Sequence, residues 1–228
     1  GFSESKAERE AVEETFEQIN QEEMDFVIMF ADARYDQKKD NQFWREKIPE
    51  KTSFVGCASL AFSSPSMPMT KIITPQGFKE GIVAMSISSK KMNFSVKLIK
   101  NIKEEWKENS SEAIKEAAKD LNLNLEEANP EKYFGLFFSD ESIDRSAEIL
   151  ENLYTKSGLL FVGGGALGAT GTLKMMWNVM SGGMEKIFSS SPGYIHTKEG
   201  AFKNAAVITL VRSEIPFKID LTTNFTST

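Results

Sequence analysis

A chain of 228 residues, 40% apolar and 26% charged, is long enough to bury a sizeable core, as one large α/β domain or two small ones. A formal charge of −6, with no basic cluster beyond the pairs Lys38-Lys39 and Lys90-Lys91, argues against nucleic acid and anionic membrane surfaces as partners. A single cysteine, Cys57, leaves no intramolecular disulfide and fits a reducing, cytoplasmic compartment, and the apolar runs are too short for membrane insertion.

From Glu4 to about Gln21 a charged stretch places Ala7, Val12, Phe16 and Ile19 at helical spacing, which predicts an amphipathic lead-in helix within residues 1–22. Met24 to Ala31 reads as a buried strand that ends in the polar turn Asp32-Ala-Arg-Tyr-Asp36. A short helix from Asn41 to Lys47, stopped by Pro49, and a strand from Ser53 to Ala58 follow. Pro65, Pro68 and Pro75 punctuate a loop in which Lys71 to Thr74 can pair. Gly81 to Ile87 and Phe94 to Leu98 read as neighbouring strands. The next helix ends at Leu121, with Ser111 as a cap and Ile114, Ala117 and Ala118 on one face.

Tyr133 to Phe138 is strand-like, and Ser139-Asp140 can cap a helix carrying Ile143, Ala147, Leu150 and Leu153. The strand Leu159 to Val162 leads into a glycine-rich corner, and a helix is expected over Thr172 to Lys186 with Thr172 as cap. Gly193 to His196, Ala205 to Val211 and Phe217 to Leu221 are strand-like. No internal repeat is evident. Strands alternate with helices in parts of the chain and follow one another elsewhere, which predicts an α/β fold with mixed β-sheets flanked by helices in a layered sandwich over 23–228. The strand-like end at Thr228 and the start at Gly1 read as a piece of a longer protein.

The corner contains a match to G-x-G-x-x-G at Gly163, Gly165 and Gly168. A dinucleotide site needs a strand before these glycines, a helix after them and an acid about 20 residues on. Glu185 falls inside the expected helix, and too few residues remain for a full nucleotide-binding half. An enzyme dependent on a nucleotide or dinucleotide, using the Gly163–Gly168 loop, is the alternative reading. The preferred one gives the glycines positive φ and close backbone approach, with exposed amides forming a small anion site.

Other chemistry is thin. His196 is the only histidine, and a hydrolase would need it beside Cys57, oriented by Asp32 or Asp36. One His and one Cys give no basis for a metal site, so neither a metal nor a cofactor is expected, and no catalytic constellation emerges. Asp32 and Asp36 can meet a ligand ammonium or simply stabilise their turn. Met67, Met69, Met175, Met176, Met180 and Met184 fit either core filling or an adaptable interface.

Six segments in order carry a family resemblance: Phe26 to Asp36, Val55-Gly-Cys-Ala-Ser59, Gly81 to Ser86, Leu136-Phe-Phe-Ser-Asp140, Phe161-Val-Gly-Gly-Gly-Ala166, and Tyr194 to Gly200 with Ala205 to Ile208. Together they resemble the N-terminal half of FIST sensory domains. The sequence departs from that pattern at Leu167-Gly168, where an acid is usual, and over 169–191, which is longer than expected. The resemblance implies an intracellular, non-enzymatic module of a signal-transduction protein that senses small molecules such as amino acids. It also implies a C-terminal FIST half and a signalling output domain as partners. The ligand is expected among Asp32, Tyr35, Cys57, Ser59, Gly163, Gly164, Gly165 and Thr172.

Overall fold

Two β-sheets pack face to face, each covered on its outer side by a pair of helices, in a computed structural model that describes residues 1–59, 81–166 and 193–219 together with Ile73–Thr74 and Gly77–Phe78. The strands are β1 (Phe2–Ser3), β2 (Phe26–Asp32), β3 (Ser53–Ser59), β4 (Ile73–Thr74), β5 (Gly77–Phe78), β6 (Ile82–Ile87), β7 (Met92–Lys100), β8 (Tyr133–Asp140), β9 (Phe161–Ala166), β10 (Ile195–Thr197), β11 (Gly200–Phe202) and β12 (Ala205–Ser213). The helices are α1 (Glu8–Ile19), α2 (Gln37–Lys47), α3 (Trp106–Asp120) and α4 (Ser146–Ser157). The first sheet has the order β1-β6-β2-β3-β10-β11 and the second β7-β12-β8-β9; both are mixed, with β2/β3 and β8/β9 as their parallel pairs.

Both faces of the central strands β2, β3, β8 and β12 are largely buried, which explains why these strands read as nearly continuous apolar runs. On β2, Val27, Met29 and Ala31 meet α1 and α2 through Ala11, Val12 and Trp44, while Phe26, Ile28 and Phe30 enter the inter-sheet layer. On β12, Ala206, Ile208 and Leu210 face α3 and α4, and Ala205 and Val207 face the other sheet. Phe30 and Phe138 meet edge-on across that layer, ring centroids 5.5 Å apart.

The topology contains an internal repeat, where none is evident in the sequence alone. Each half runs strand, helix, strand, helix, strand, hairpin, strand, and the four main strands assemble in the same order: β1-β6-β2-β3 and β7-β12-β8-β9. The registers coincide as well. Met29 pairs with Gly56 as Phe137 pairs with Gly163, and Phe30 with Val83 as Phe138 with Val207. Aligned on this register, Phe26-Val-Ile-Met-Phe-Ala-Asp32 matches Phe134-Gly-Leu-Phe-Phe-Ser-Asp140, and Phe54-Val-Gly-Cys-Ala-Ser59 matches Phe161-Val-Gly-Gly-Gly-Ala166. Phe30 and Phe138, in contact across the core, are therefore equivalent residues.

Several boundaries differ from expectation. Asp36 accepts from the Lys38 and Lys39 amides and starts α2 at Gln37, four residues before the apolar pattern begins. Ser111 does not cap α3; it lies in the second turn, its hydroxyl bonded back to the Lys107 carbonyl. Asp140 caps a single 3-10 turn, Glu141–Ile143, and α4 begins only at Ser146. Residues 217–219 carry no strand, and the helix expected from Thr172 lies outside the described residues.

Candidate functional site

The carboxyl ends of the two parallel pairs lie toward the inter-sheet layer, where β3 contacts both β8 and β9. Each pair ends on a buried aspartate at the same repeat position, Asp32 on β2 and Asp140 on β8. Their partners differ. Arg34 grips Asp32 bidentately, Nε to Oδ1 at 2.8 Å and Nη2 to Oδ2 at 2.6 Å, and its own amide donates to Oδ1. Asp140 instead accepts from the amides of Ser142, Gly193 and Asn204 and from the Ser142 hydroxyl. The Asp32 carboxylate thus stabilises its own turn and fixes a guanidinium at the strand end.

Cys57 and Ser59 share the inter-sheet side of β3 with Val55, and Cys57 is fully enclosed among Phe138, Ala166 and Ile195. Tyr35 is not brought to this place. It belongs to the helix-side layer, and its hydroxyl donates to the Ser5 carbonyl. The glycines of the corner are not in a loop: Gly163, Gly164 and Gly165 are consecutive residues of β9, paired with Phe137, Phe138 and Ser139. None has positive φ. Close approach is the reason for two of them. A Cβ on Gly163 would lie 1.6 Å from the Phe137 carbonyl oxygen, and one on Gly165 1.7 Å from Glu141 Cγ.

Gly164 is different. It occupies the position of Cys57 in the other repeat, on the same strand face as Ala166, and no described atom lies within 4 Å of where its Cβ would be. The first two glycines of the nucleotide-type pattern therefore run inside a strand rather than around a turn; Gly168 and Thr172 lie outside the described residues. Clefts among the described residues lie elsewhere. One, of about 580 Å³, is lined by Leu160, Ile215, Phe217 and Ile219; another, of about 270 Å³, runs between Ser53, Phe94, Val96 and Thr197.

The family model for the FIST N domain matches residues 25–228, most of the chain and all of both parallel pairs. The chain belongs to the FIST N domain family. This is a family of signal-transduction sensory domains. None of the curated proteins compared with the chain matches it. Among the described residues of this FIST N domain, no helix is long and apolar enough to cross a membrane, and no group of three or more His, Cys, Asp or Glu side chains is placed to hold a metal ion.

Two features of this FIST N domain were not visible in its sequence. The sequence marks Arg34 only as part of a polar turn and Asp140 only as a cap, not as the partners of the strand ends; the matched strands ending in Asp32 and Asp140 are the signal that points to the second. Cys57 and His196 occupy adjacent strands, but Ile195 is the residue opposite Cys57, so the two side chains point to opposite faces of the sheet. His196 lies on the helix side, its Nε2 2.9 Å from Gln37 Oε1 and its Nδ1 3.4 Å from Asn41 Nδ2. Burial lowers its pKa to about 3 and pushes the Cys57 thiol up to about 12, so both are neutral across the ordinary range.

Asp40 on α2 is buried, and neither carboxylate oxygen has a hydrogen-bond partner among the described residues. Burial, reinforced by the Glu8 charge, raises its pKa from 3.8 to about 8. The folded state thus holds a proton on Asp40 that the unfolded chain gives up above pH 3.8, and this contribution to stability declines as pH rises toward 8. His196 acts in the opposite sense: only the unfolded chain binds its proton between about pH 3 and 6.5, so stability falls as pH drops through that window. Between pH 3.8 and 6.5 the two slopes oppose each other; above 6.5 only the Asp40 slope of these two remains. In Asp40→Asn the decline above pH 6.5, at most about 1.4 kcal/mol per pH unit, should disappear. Denaturant unfolding of both proteins across the range checks this.

Proposed function

We propose that this FIST N domain senses a small amino acid-like or carboxylate ligand seated in the inter-sheet layer beside β9. In this reading it serves as the input of a cytoplasmic signalling protein that also carries a C-terminal FIST half and an output domain. The observation that carries the reading is the missing side chain at Gly164. Where one repeat fills the layer with Cys57, the other has no described atom within 4 Å of where the Gly164 side chain would begin, next to Phe138, the residue paired with it. The apolar body of a small ligand fits such a space, with Val162 on the same strand face and 43% exposed. Ser59, at the end of β3 and on the side facing that layer, offers a hydroxyl to such a ligand. Glycines inside a strand support this reading over a phosphate-binding turn, which needs its amides free at a helix start. Occupation would act as a signal by favouring one packing of the two sheets over another.

Thermal unfolding against amino acids, small carboxylates, NAD(H) and ATP tests it. A ligand at about 100 times its Kd adds roughly 2.7 kcal/mol, a shift of a few degrees. A shift with an amino acid or carboxylate and none with the nucleotides is expected. A shift with NAD(H) or ATP alone would contradict the reading.

A further inference from the structure

The repeat extends to the two hairpins, and there the structure is asymmetric. In the second half the hairpin β10–β11 leaves its own repeat and joins the first sheet, antiparallel to β3, with Thr197 opposite Val55 and His196 opposite Gly56. In the first half the hairpin β4–β5 occupies the same place in the chain order, between β3 and β6 as β10–β11 lies between β9 and β12. The two hairpins are built alike. Thr197 pairs with Gly200 and Thr74 with Gly77, with two residues between the partners in each sequence, Lys198-Glu199 and Pro75-Gln76. Their sequences agree: Ile195-His-Thr-Lys-Glu-Gly200 against Ile72-Ile-Thr-Pro-Gln-Gly77.

β9 is the repeat counterpart of β3, and among the described residues it pairs only with β8. The consequence shows in burial. Val55, beneath β10, is fully buried, whereas its counterpart Val162 is 43% exposed. An edge strand with open backbone groups and an exposed valine is built to receive another strand.

Among the described residues β4 and β5 pair with each other in a two-stranded sheet of their own; we propose that this hairpin is the strand that β9 receives. It pairs antiparallel with β9, Thr74 opposite Val162 and Ile73 opposite Gly163, so that each repeat lends its hairpin to the other's sheet. The second sheet then has the order β7-β12-β8-β9-β4-β5, the counterpart of β1-β6-β2-β3-β10-β11. The reciprocal exchange ties the two halves together at both edges. It also explains why β9 tolerates three consecutive glycines, which have little strand preference of their own: its hydrogen bonds on the second edge come from the hairpin.

The test is a cross-strand disulfide in the whole chain. Thr74→Cys with Val162→Cys places the two thiols on directly opposed residues, while Thr74→Cys with Leu160→Cys, at an exposed position two residues out of register, serves as control. Cys57 stays in place, because its buried, neutral thiol does not compete. Mild oxidation should convert the first pair to a faster-migrating, reductant-sensitive monomer and leave the control unlinked. A disulfide-linked dimer would assign the β9 edge to a second copy and overturn the proposal. So would a double variant that melts like the parent, elutes as a monomer and forms no cross-link.

Discussion

Asp140→Ala is expected to lower stability by about 3–5 kcal/mol, an effect on the scale of losing a buried charged partner. Its carboxylate is fully buried and accepts four hydrogen bonds: Oδ1 from the Ser142 amide at 3.1 Å, the Ser142 hydroxyl at 2.6 Å and the Gly193 amide at 2.9 Å, and Oδ2 from the Asn204 amide at 3.0 Å. Gly193 precedes β10 and Asn204 follows β11, so one side chain at the end of β8 holds both ends of the hairpin that crosses to the first sheet. Removing it orphans donors in a buried place, each costing about 1–3 kcal/mol. Asp140→Asn keeps one carbonyl acceptor and should cost less than alanine. Denaturant unfolding gives the two magnitudes. Amide exchange gives the location: protection should fall first at Ile195–Thr197 and Gly200–Phe202, and an even loss across both sheets would deny Asp140 this role.

The second large effect separates two neighbouring glycines. Gly163→Ala must push its Cβ away from the Phe137 carbonyl oxygen, 1.6 Å distant in the present backbone, and β9 cannot yield without breaking register with β8. A cost near the upper end of overpacking, about 3 kcal/mol, is expected. Gly164→Ala meets no described atom and needs no positive φ, so it should be neutral or stabilise by about 0.4–1 kcal/mol through the unfolded chain. The same substitution one residue apart thus has opposite signs, readable in a pair of melts. Equal costs at the two positions would mean that β9 does not present the faces described.

The sequence and the structure agree where one local signal dominates. The runs around Phe26 and Phe54 and the apolar stripe of α1 are periodic enough to be read directly, and burial of both sheet faces follows from them. The layered α/β class was legible for that reason. β9 was read as ending before its glycines, because glycine's weak strand preference is a local signal and the pressure for Gly163 comes from a carbonyl 26 residues away. The repeat is hard to see in the sequence because its identities, Phe26/Phe134, Phe30/Phe138, Asp32/Asp140 and Phe54-Val-Gly56 against Phe161-Val-Gly163, are short and scattered until a shared register aligns them. Of the expected site, Cys57, Ser59 and the β9 glycines share one region, whereas Tyr35 faces the helices; the difference is strand alternation against a turn whose direction no periodicity encodes.

The most direct test of the ligand site compares the unfolding temperature of the parent chain and of Gly164→Leu, each with and without the amino acid or carboxylate that shifts the parent. A Cβ at this position meets no described atom, and leucine extends from it toward the place proposed for the ligand; the variant alone is expected to melt within a few degrees of the parent. The account predicts that the ligand-induced shift disappears in the variant. A full shift retained in a well-folded Gly164→Leu would place the ligand elsewhere and contradict the site proposed for this domain.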